Sequence, residues 1–387
     1  MTISDGPATT RQDTADLSRV GIDPMALARL YDRIERHIAE GRYPGAAVAL
    51  ARHGEVVAAR SFGHARLPAD GQPAMQASDE TLWLLYSQTK PVVSSAIWQL
   101  VERGDLRFHD PIAEYLPDFA RHGKGGVTLF HVLTHQGGFP HARAIPPALW
   151  EDHAALHEAV CDFTLEWEPG ARVVYHGAAA HWVQALLIEA VTGRDYRAHI
   201  REAITAPLGL DNLRVGVPDA LHERIAHIHD PLPGGYATLA DGQNTPAHWR
   251  AGIPGGGGYA TATDLALFYQ FLLGLGALRG VRLLSPRMVR YATSNHTAER
   301  VDEAMGMPMH RGLGVHVRGT TPRIRGLGSI ASPRTFGHGG AGTSYSWADP
   351  ETGVSFTYLT NGRVAEPWHS QRLDEIAILA HAAVIDL

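Results

Sequence analysis

The chain of 387 residues is 44% hydrophobic and 19% charged, which supplies a large buried core in one large or two moderate domains. A formal net charge of −6 leaves no basic footprint to neutralise phosphates, so nucleic acid is excluded as the expected partner and a small molecule or peptide takes its place. The single cysteine, Cys161, excludes an internal disulfide. With no export-signal pattern near the start, and no run of the ~18 apolar residues a membrane helix needs, a cytoplasmic protein without a membrane partner is expected.

Residues 1–20 are polar with no apolar period and read as a flexible or loosely docked tail. From Pro24 to Gly41, the residues Met25, Leu27, Leu30, Ile34 and Ile38 recur at helical spacing. Ala47 to Ala51 and Val56 to Ser61 are strand-like and joined at His53-Gly54, which predicts a hairpin. A second hairpin is predicted from Thr343 to Ala348 and Val354 to Thr360, across the turn-forming stretch Asp349 to Gly353, and Leu373 to Ile385 reads as a closing helix. Helical periodicity dominates the middle. These elements predict an α/β (α+β) protein with an antiparallel sheet built from residues 21–80 and 276–387 and flanked by the N- and C-terminal helices. A mainly helical domain, 81–275, is inserted, and the cleft between the two parts is the natural place for a site.

Chemistry-bearing residues concentrate at one point. In Leu82-Trp83-Leu84-Leu85-Tyr86-Ser87-Gln88-Thr89-Lys90-Pro91 an apolar run ends at a serine, and Val92, Val93, Ala96, Ile97, Leu100 and Val101 then follow at helical spacing up to Gly104. Ser87 and Lys90 stand three apart, so on a helix they share a face and the amine reaches the hydroxyl. A serine hydroxyl is a weak nucleophile until a base takes its proton, and the positive end of the helix stabilises charge developing there. Composition adds weight: of 34 lysines and arginines only Lys90 and Lys124 are lysines, and a lysine, unlike an arginine, can shed its proton when desolvated.

Set beside the rest of the chain, this motif resembles that of the serine β-lactamase-like family: class C β-lactamases, DD-peptidases and family VIII esterases. Leu133-Thr134-His135-Gln136-Gly137-Gly138-Phe139-Pro140 is similar to the family's LLTHTSGLP stretch, and Gly257-Gly258-Tyr259-Ala260-Thr261-Ala262-Thr263-Asp264-Leu265-Ala266 to its GGLxSTAxDLAxF segment. The resemblance implies a β-lactamase/transpeptidase-like fold. It places Tyr175 at the family's YxN tyrosine, where a phenol beside a lysine shares the serine proton. Gly177 stands where the motif has asparagine, so the amide's polar role falls to His176, Gln136 or water. The family's KTG motif appears as His338-Gly339-Gly340, and the resemblance implies that the backbone N–H of Ala341 pairs with that of Ser87 as an oxyanion hole. Histidine in place of lysine removes a permanent cation and should weaken binding of a β-lactam carboxylate.

Other signals compete poorly. His227-Ile228-His229-Asp230 invites a metal reading but lacks further ligands at recognisable spacing, His131/His135 and His153/His157 lack the glutamate of HExxH, and Gly255 to Gly258 lacks the lysine and hydroxyl of a phosphate loop. The glycines read as a close backbone approach, and no GxSxG nucleophile elbow occurs. The expectation is a carboxylesterase or amidase that forms an acyl-enzyme on Ser87, with Lys90 and Tyr175 moving the proton. A small-molecule ester or amide is the partner, and no metal or organic cofactor is needed. Rival readings are a β-lactamase or D-amino-acid peptidase, an acyltransferase, a zinc hydrolase and a non-catalytic binding module on the same fold. The loops 139–160, 232–256 and 318–334, with Trp150 and Trp249, are expected to wall the pocket, and the oligomeric state is left open.

Overall fold

The computed structural model describes residues 10–11, 14–69, 71–142, 145–238, 242–321 and 326–385. Its sheet is organised by the alternation of side chains in Gly45–Arg52 (β1), which is buried along its whole length. Ala46, Val48 and Leu50 point to one core, and Ala47, Ala49 and Ala51 to another. β1 pairs with Glu55–Arg66 (β2) through a turn at His53 and Gly54, whose φ values of 56° and 80° are the left-handed pair that suits a two-residue hairpin. Near the other end of the chain, Phe336–Gly339 (β3), Tyr345–Asp349 (β4) and Val354–Thr360 (β5) continue the sheet. The antiparallel order is Thr10–Arg11, β2, β1, β5, β4, β3, His316–Val317, with Val48 opposite Tyr358 and Leu50 opposite Phe356.

One face of this sheet carries large side chains, Trp347, Phe356 and Tyr358, and is covered by the terminal helices Pro24–Ala39 (α1) and Trp368–His381 (α2) through Leu30, Ile34, Leu373 and Ile376. The opposite face is alanine-rich, which lets the helix Ala262–Leu273 lie close upon it. That helix falls inside the range expected for the helical part, yet it packs on β1 and β5 because it is apolar on nearly every side and needs partners all round. The middle also holds a small ladder of Trp83–Leu84, Gly258–Ala260 and Arg214–Val215 that periodicity did not predict. At its heart is the helix Thr89–Arg103, preceded by a tight turn at Tyr86–Gln88 and stopped at Gly104, whose φ is 84°. Among the described residues no helix is long and apolar enough to cross a membrane.

The first twenty residues depart from a flexible tail where they are described: Thr10 and Arg11 pair with Arg60 and Ala59, Thr14–Arg19 is helical, and Leu17 is buried. Hydrogen bonding to the sheet edge and one apolar anchor suffice to dock a segment with no apolar period. Residues 1–9 and 12–13 lie outside the described residues.

Asn361, just past β5, ties both chain ends together. Its side chain accepts from Gly45 N–H at 2.9 Å and donates to the carbonyls of His64 and Ala65, both at 3.0 Å, with no surface exposed. Asn361→Ala strands a donor and two acceptors inside the fold and is expected to cost about 2–4 kcal/mol. Denaturant unfolding of the variant checks this, and a change under about 0.5 kcal/mol, the range of ordinary surface substitutions, would remove Asn361 from any tying role.

Candidate active site

Ser87 sits at the head of the central helix, and its backbone direction is set by Tyr86, whose φ of 46° is a left-handed conformation costly for a tyrosine. The neighbouring chain holds it there. Leu85 N–H donates to Gly258 O at 2.9 Å, Gly258 N–H donates to Thr89 Oγ1 at 2.8 Å, and Thr89 Oγ1 donates to Tyr86 O at 2.7 Å. A Cβ on Gly258 would stand 2.6 Å from Thr89 Oγ1, so the glycine stretch is the close backbone approach its composition suggests.

Lys90 Nζ donates to Ser87 Oγ at 3.0 Å, and Tyr175 Oη lies 2.8 Å from the same oxygen. Lys90 is fully buried, and that burial holds its amine below the usual lysine range, with the nearby charge of Arg311 acting the same way and Tyr175 opposing. Its second acceptor is the Gly255 carbonyl at 2.5 Å. An ideal Cβ at Gly177 would meet nothing within 4 Å, so the missing asparagine leaves open space, and it is a backbone carbonyl that holds the lysine. The chain's other lysine, Lys124, is also buried but donates to the carbonyls of Arg121, Cys161 and Phe163, a structural post away from Ser87.

Tyr175 is fixed from several sides. Its N–H donates to Asp302 Oδ1 at 3.2 Å, the His135 ring lies 4.8 Å from its own, and the Arg311 guanidinium lies 4.9 Å over it. Arg311 in turn donates to Asp302 Oδ2 at 2.5 Å, and both members of this ion pair are buried. The sequence reading missed this pair. Asp302 and Arg311 are ordinary residues in an unremarkable stretch, and only the bridge between Val173 and Asp302 brings them under the tyrosine.

The polar residues assigned as substitutes for the missing amide are committed elsewhere. His176 Nδ1–H donates to Val174 O at 2.6 Å and its Nε2 accepts from Phe139 N–H at 3.1 Å, so both ring nitrogens serve the backbone. Gln136 donates to Thr134 Oγ1 at 2.8 Å and accepts from Arg300. They hold the loops that carry Tyr175, and among the described residues no hydrogen bond joins their side chains to Ser87.

His338 lies at the end of β3, 4.0 Å from the His316 ring and 6.3 Å from that of Tyr175, with Nδ1 2.9 Å from Gly339 O. Burial, then the positive charge of Lys90, keeps it neutral well below the ordinary histidine range. Gly340 comes against the serine turn: a Cβ there would stand 2.8 Å from Leu85 O and 3.4 Å from Tyr86 Cβ. The N–H groups of Ser87 and Ala341 make no hydrogen bond among the described residues and flank this contact.

The competing clusters separate. His229 Nδ1 is 3.0 Å from Thr238 Oγ1, whereas His227 lies against Trp249, and no third ligand atom converges on the two among the described residues. Trp249 is a core residue, its indole N–H donating to Gln243 O at 2.8 Å, where a pocket wall was expected. His153, by contrast, meets Glu189 at 2.8 Å and Asp195 at 3.3 Å, a polar cluster that ties two helical segments.

An antiparallel sheet, an inserted helical body and a serine, lysine and tyrosine meeting at their junction are the marks of the serine β-lactamase-fold hydrolases. The chain belongs to the beta-lactamase family, whose model matches residues 31–381. It is similar to the esterase/beta-lactamase LipL of Mycobacterium tuberculosis (strain ATCC 25618 / H37Rv), 28% identical over 85% of this chain and 82% of that one. Among solved structures it is similar to a penicillin-binding protein homolog from Caulobacter crescentus, with a TM-score of 0.79, 28% identity and coverage of 94% of this chain and 99% of that one. A family VIII carboxylesterase shares the fold at a TM-score of 0.76 and 24% identity, over 92% of this chain and 98% of that one.

Removing one partner of the Asp302–Arg311 pair leaves a buried uncompensated charge, so Arg311→Met is expected to destabilise by about 3–5 kcal/mol. Adding Asp302→Asn removes that charge, and the double variant should cost clearly less than the two singles together. Chemical denaturation of the four proteins completes the cycle; strictly additive costs would mean that the pair is not coupled.

Proposed function

We propose that this protein is a serine carboxylesterase or amidase that works through an acyl-enzyme on Ser87. The observation that carries the reading is a single oxygen, Ser87 Oγ, within hydrogen-bond reach of both a buried lysine amine and a tyrosine hydroxyl. Ser87 Oγ attacks the carbonyl carbon of an ester or amide, and its proton passes to the Lys90 and Tyr175 pair. Negative charge develops on the former carbonyl oxygen, and the N–H groups of Ser87 and Ala341 are the donors available to receive it. As the tetrahedral intermediate collapses, the leaving alcohol or amine takes the proton. Water then repeats the sequence on the acyl–Ser87 ester, releasing the carboxylic acid and restoring the serine.

Preference for uncharged acyl substrates over β-lactams is supported by His338. A neutral, buried imidazole replaces the cation that would pair with a β-lactam carboxylate, and the open space at Gly177 removes an amide donor. The name of the mycobacterial relative couples both activities, so a β-lactam belongs in the substrate panel.

Incubation with p-nitrophenyl esters, anilides and a β-lactam, followed by intact-mass analysis, tests the assignment. Wild type is expected to turn over the short-chain esters fastest and to carry an acyl adduct, while Ser87→Ala loses the adduct and about a thousand-fold or more of the turnover. Equal turnover in Ser87→Ala would end the assignment of the nucleophile. A β-lactam turned over faster than every ester would replace esterase with β-lactamase.

The pH profile tests the base. The lowered pKa of Lys90 means that its neutral form is reached below the ordinary value of 10.5, and kcat/KM is expected to rise with pH through that ionisation and to fall as acid reprotonates the amine. Lys90→Arg stays charged across the range, so it should lose this limb together with about 100-fold or more of the rate. An unchanged acid limb in Lys90→Arg would move the base role to another group.

A further inference from the structure

We propose that a second cavity, on the helical body around Arg214, binds an organic anion, a carboxylate carried on a small apolar group. The cavity is open to solvent, with a volume of about 480 Å³, and among the described residues none of those lining it is hydrogen-bonded to the side chains of Ser87, Lys90 or Tyr175. That volume lies within the roughly 300–1,000 Å³ of small-molecule sites. Its wall is apolar at Ile200, Val215 and Val217, cationic at Arg201, Arg214, Arg250 and Arg197, the last paired with Asp195 at 2.5 Å, and carries one carboxylate, Glu151.

The arginines are not equivalent. Arg250 is paired with Asp219 at 3.1 Å and Glu151 at 3.4 Å, and Arg201 reaches Asp211 at 3.8 Å. Arg214 has neither an ion pair nor a side-chain hydrogen bond among the described residues, and its Nε is buried without a partner. Burial, and then the charges of Arg201 and Arg224, act against its protonated form, with Asp211 and Asp264 offsetting them only in part. A half-buried guanidinium that the fold leaves uncompensated is costly, and an anion in the cavity removes that cost. Because Nε is buried, it is the outer nitrogens of the guanidinium that can donate to a carboxylate in the cavity, and the neighbouring aliphatic wall receives the apolar part of the same molecule.

The backbone beside it is also unusual. Ala206 N–H donates to Arg201 O at 2.8 Å, a five-residue step that widens the helix where Arg201 and Thr205 line the cavity, and such π turns are rare and concentrate at functional sites. The strand Arg214–Val215 pairs with Gly258–Ala260, which pairs with Trp83–Leu84 just ahead of Ser87. The strand that lines the cavity thus belongs to the same ladder as the segment that leads to Ser87.

Calorimetric titration of the full-length protein with hexanoate, 1-hexanol and inorganic phosphate tests the proposal, and its binding readout does not depend on the role of Ser87. Hexanoate is expected to bind wild type at least about tenfold more tightly than it binds Arg214→Gln, with Arg214→Lys between them and neither ligand-free variant melting below wild type. Hexanol and phosphate should each bind more weakly than hexanoate, because each offers one half of the recognised chemistry. Ester turnover in Arg214→Gln should stay within about twofold of wild type. The proposal is overturned by equal hexanoate affinity in wild type and Arg214→Gln, by no binding to wild type, or by hexanol or phosphate binding as tightly as hexanoate. Loss of turnover in Arg214→Gln would equally overturn the separateness of the site.

Discussion

Lys90 has no exposed surface, and an ammonium without water must be either discharged or surrounded by acceptors. The protein does some of each. Burial pulls the amine toward its neutral form, while Gly255 O and Ser87 Oγ accept its hydrogens. Both acceptors come from different parts of the chain, so the lysine can be housed only if the glycine stretch 255–258 lies flat against the head of the central helix. Gly258 permits this by lacking a Cβ that Thr89 would meet, and the left-handed Tyr86 turns the serine toward the amine. The architecture of the cleft follows from enclosing one amine.

The sheet contributes through β3, one strand in from its edge. β3 and the Gly340 that follows it come against the serine turn, while the alanines of β1 let the helix Ala262–Leu273 seat closely, and that helix follows directly on the Gly258–Ala260 strand. The large residues on the other face, Trp347 and Phe356, are stacked beneath the terminal helices and keep the strands in register. Small residues toward the site and large ones away from it give a rigid platform at the point where 3 Å distances matter.

Much of this was legible from residues alone. Strand-like runs joined by turn residues pointed to both hairpins, helical spacing to the terminal helices, the Ser87 and Lys90 spacing to the nucleophile and its base, and the family resemblance to Tyr175. What escaped was set by tertiary pairing. The Asp302–Arg311 pair sits far along the chain from Tyr175 and carries no motif, and the Gly255 carbonyl is a backbone atom, which no residue type advertises. His176 and Gln136 were assigned by proximity in sequence to the motifs. Their side chains turn out to satisfy buried backbone and side-chain groups, the default demand on a polar residue inside a fold. Trp249 was placed on a wall because loops usually line pockets, but its indole found a carbonyl in the core.

The charges around the site form a consistent pattern. Arg311 lies over the Tyr175 ring and contributes to the lowering of the Lys90 pKa, while its own charge is met by Asp302. His135, His176 and His338 are all buried and pushed toward neutrality, in each case first by desolvation. Three further imidazolium charges here would repel a protonated lysine and would hold an anionic product after acyl release. Keeping them neutral leaves a cleft whose positive potential comes from one lysine, one compensated arginine and backbone N–H groups. That arrangement fits the proposed acyl substrate, which enters uncharged and becomes an oxyanion only in the transition state.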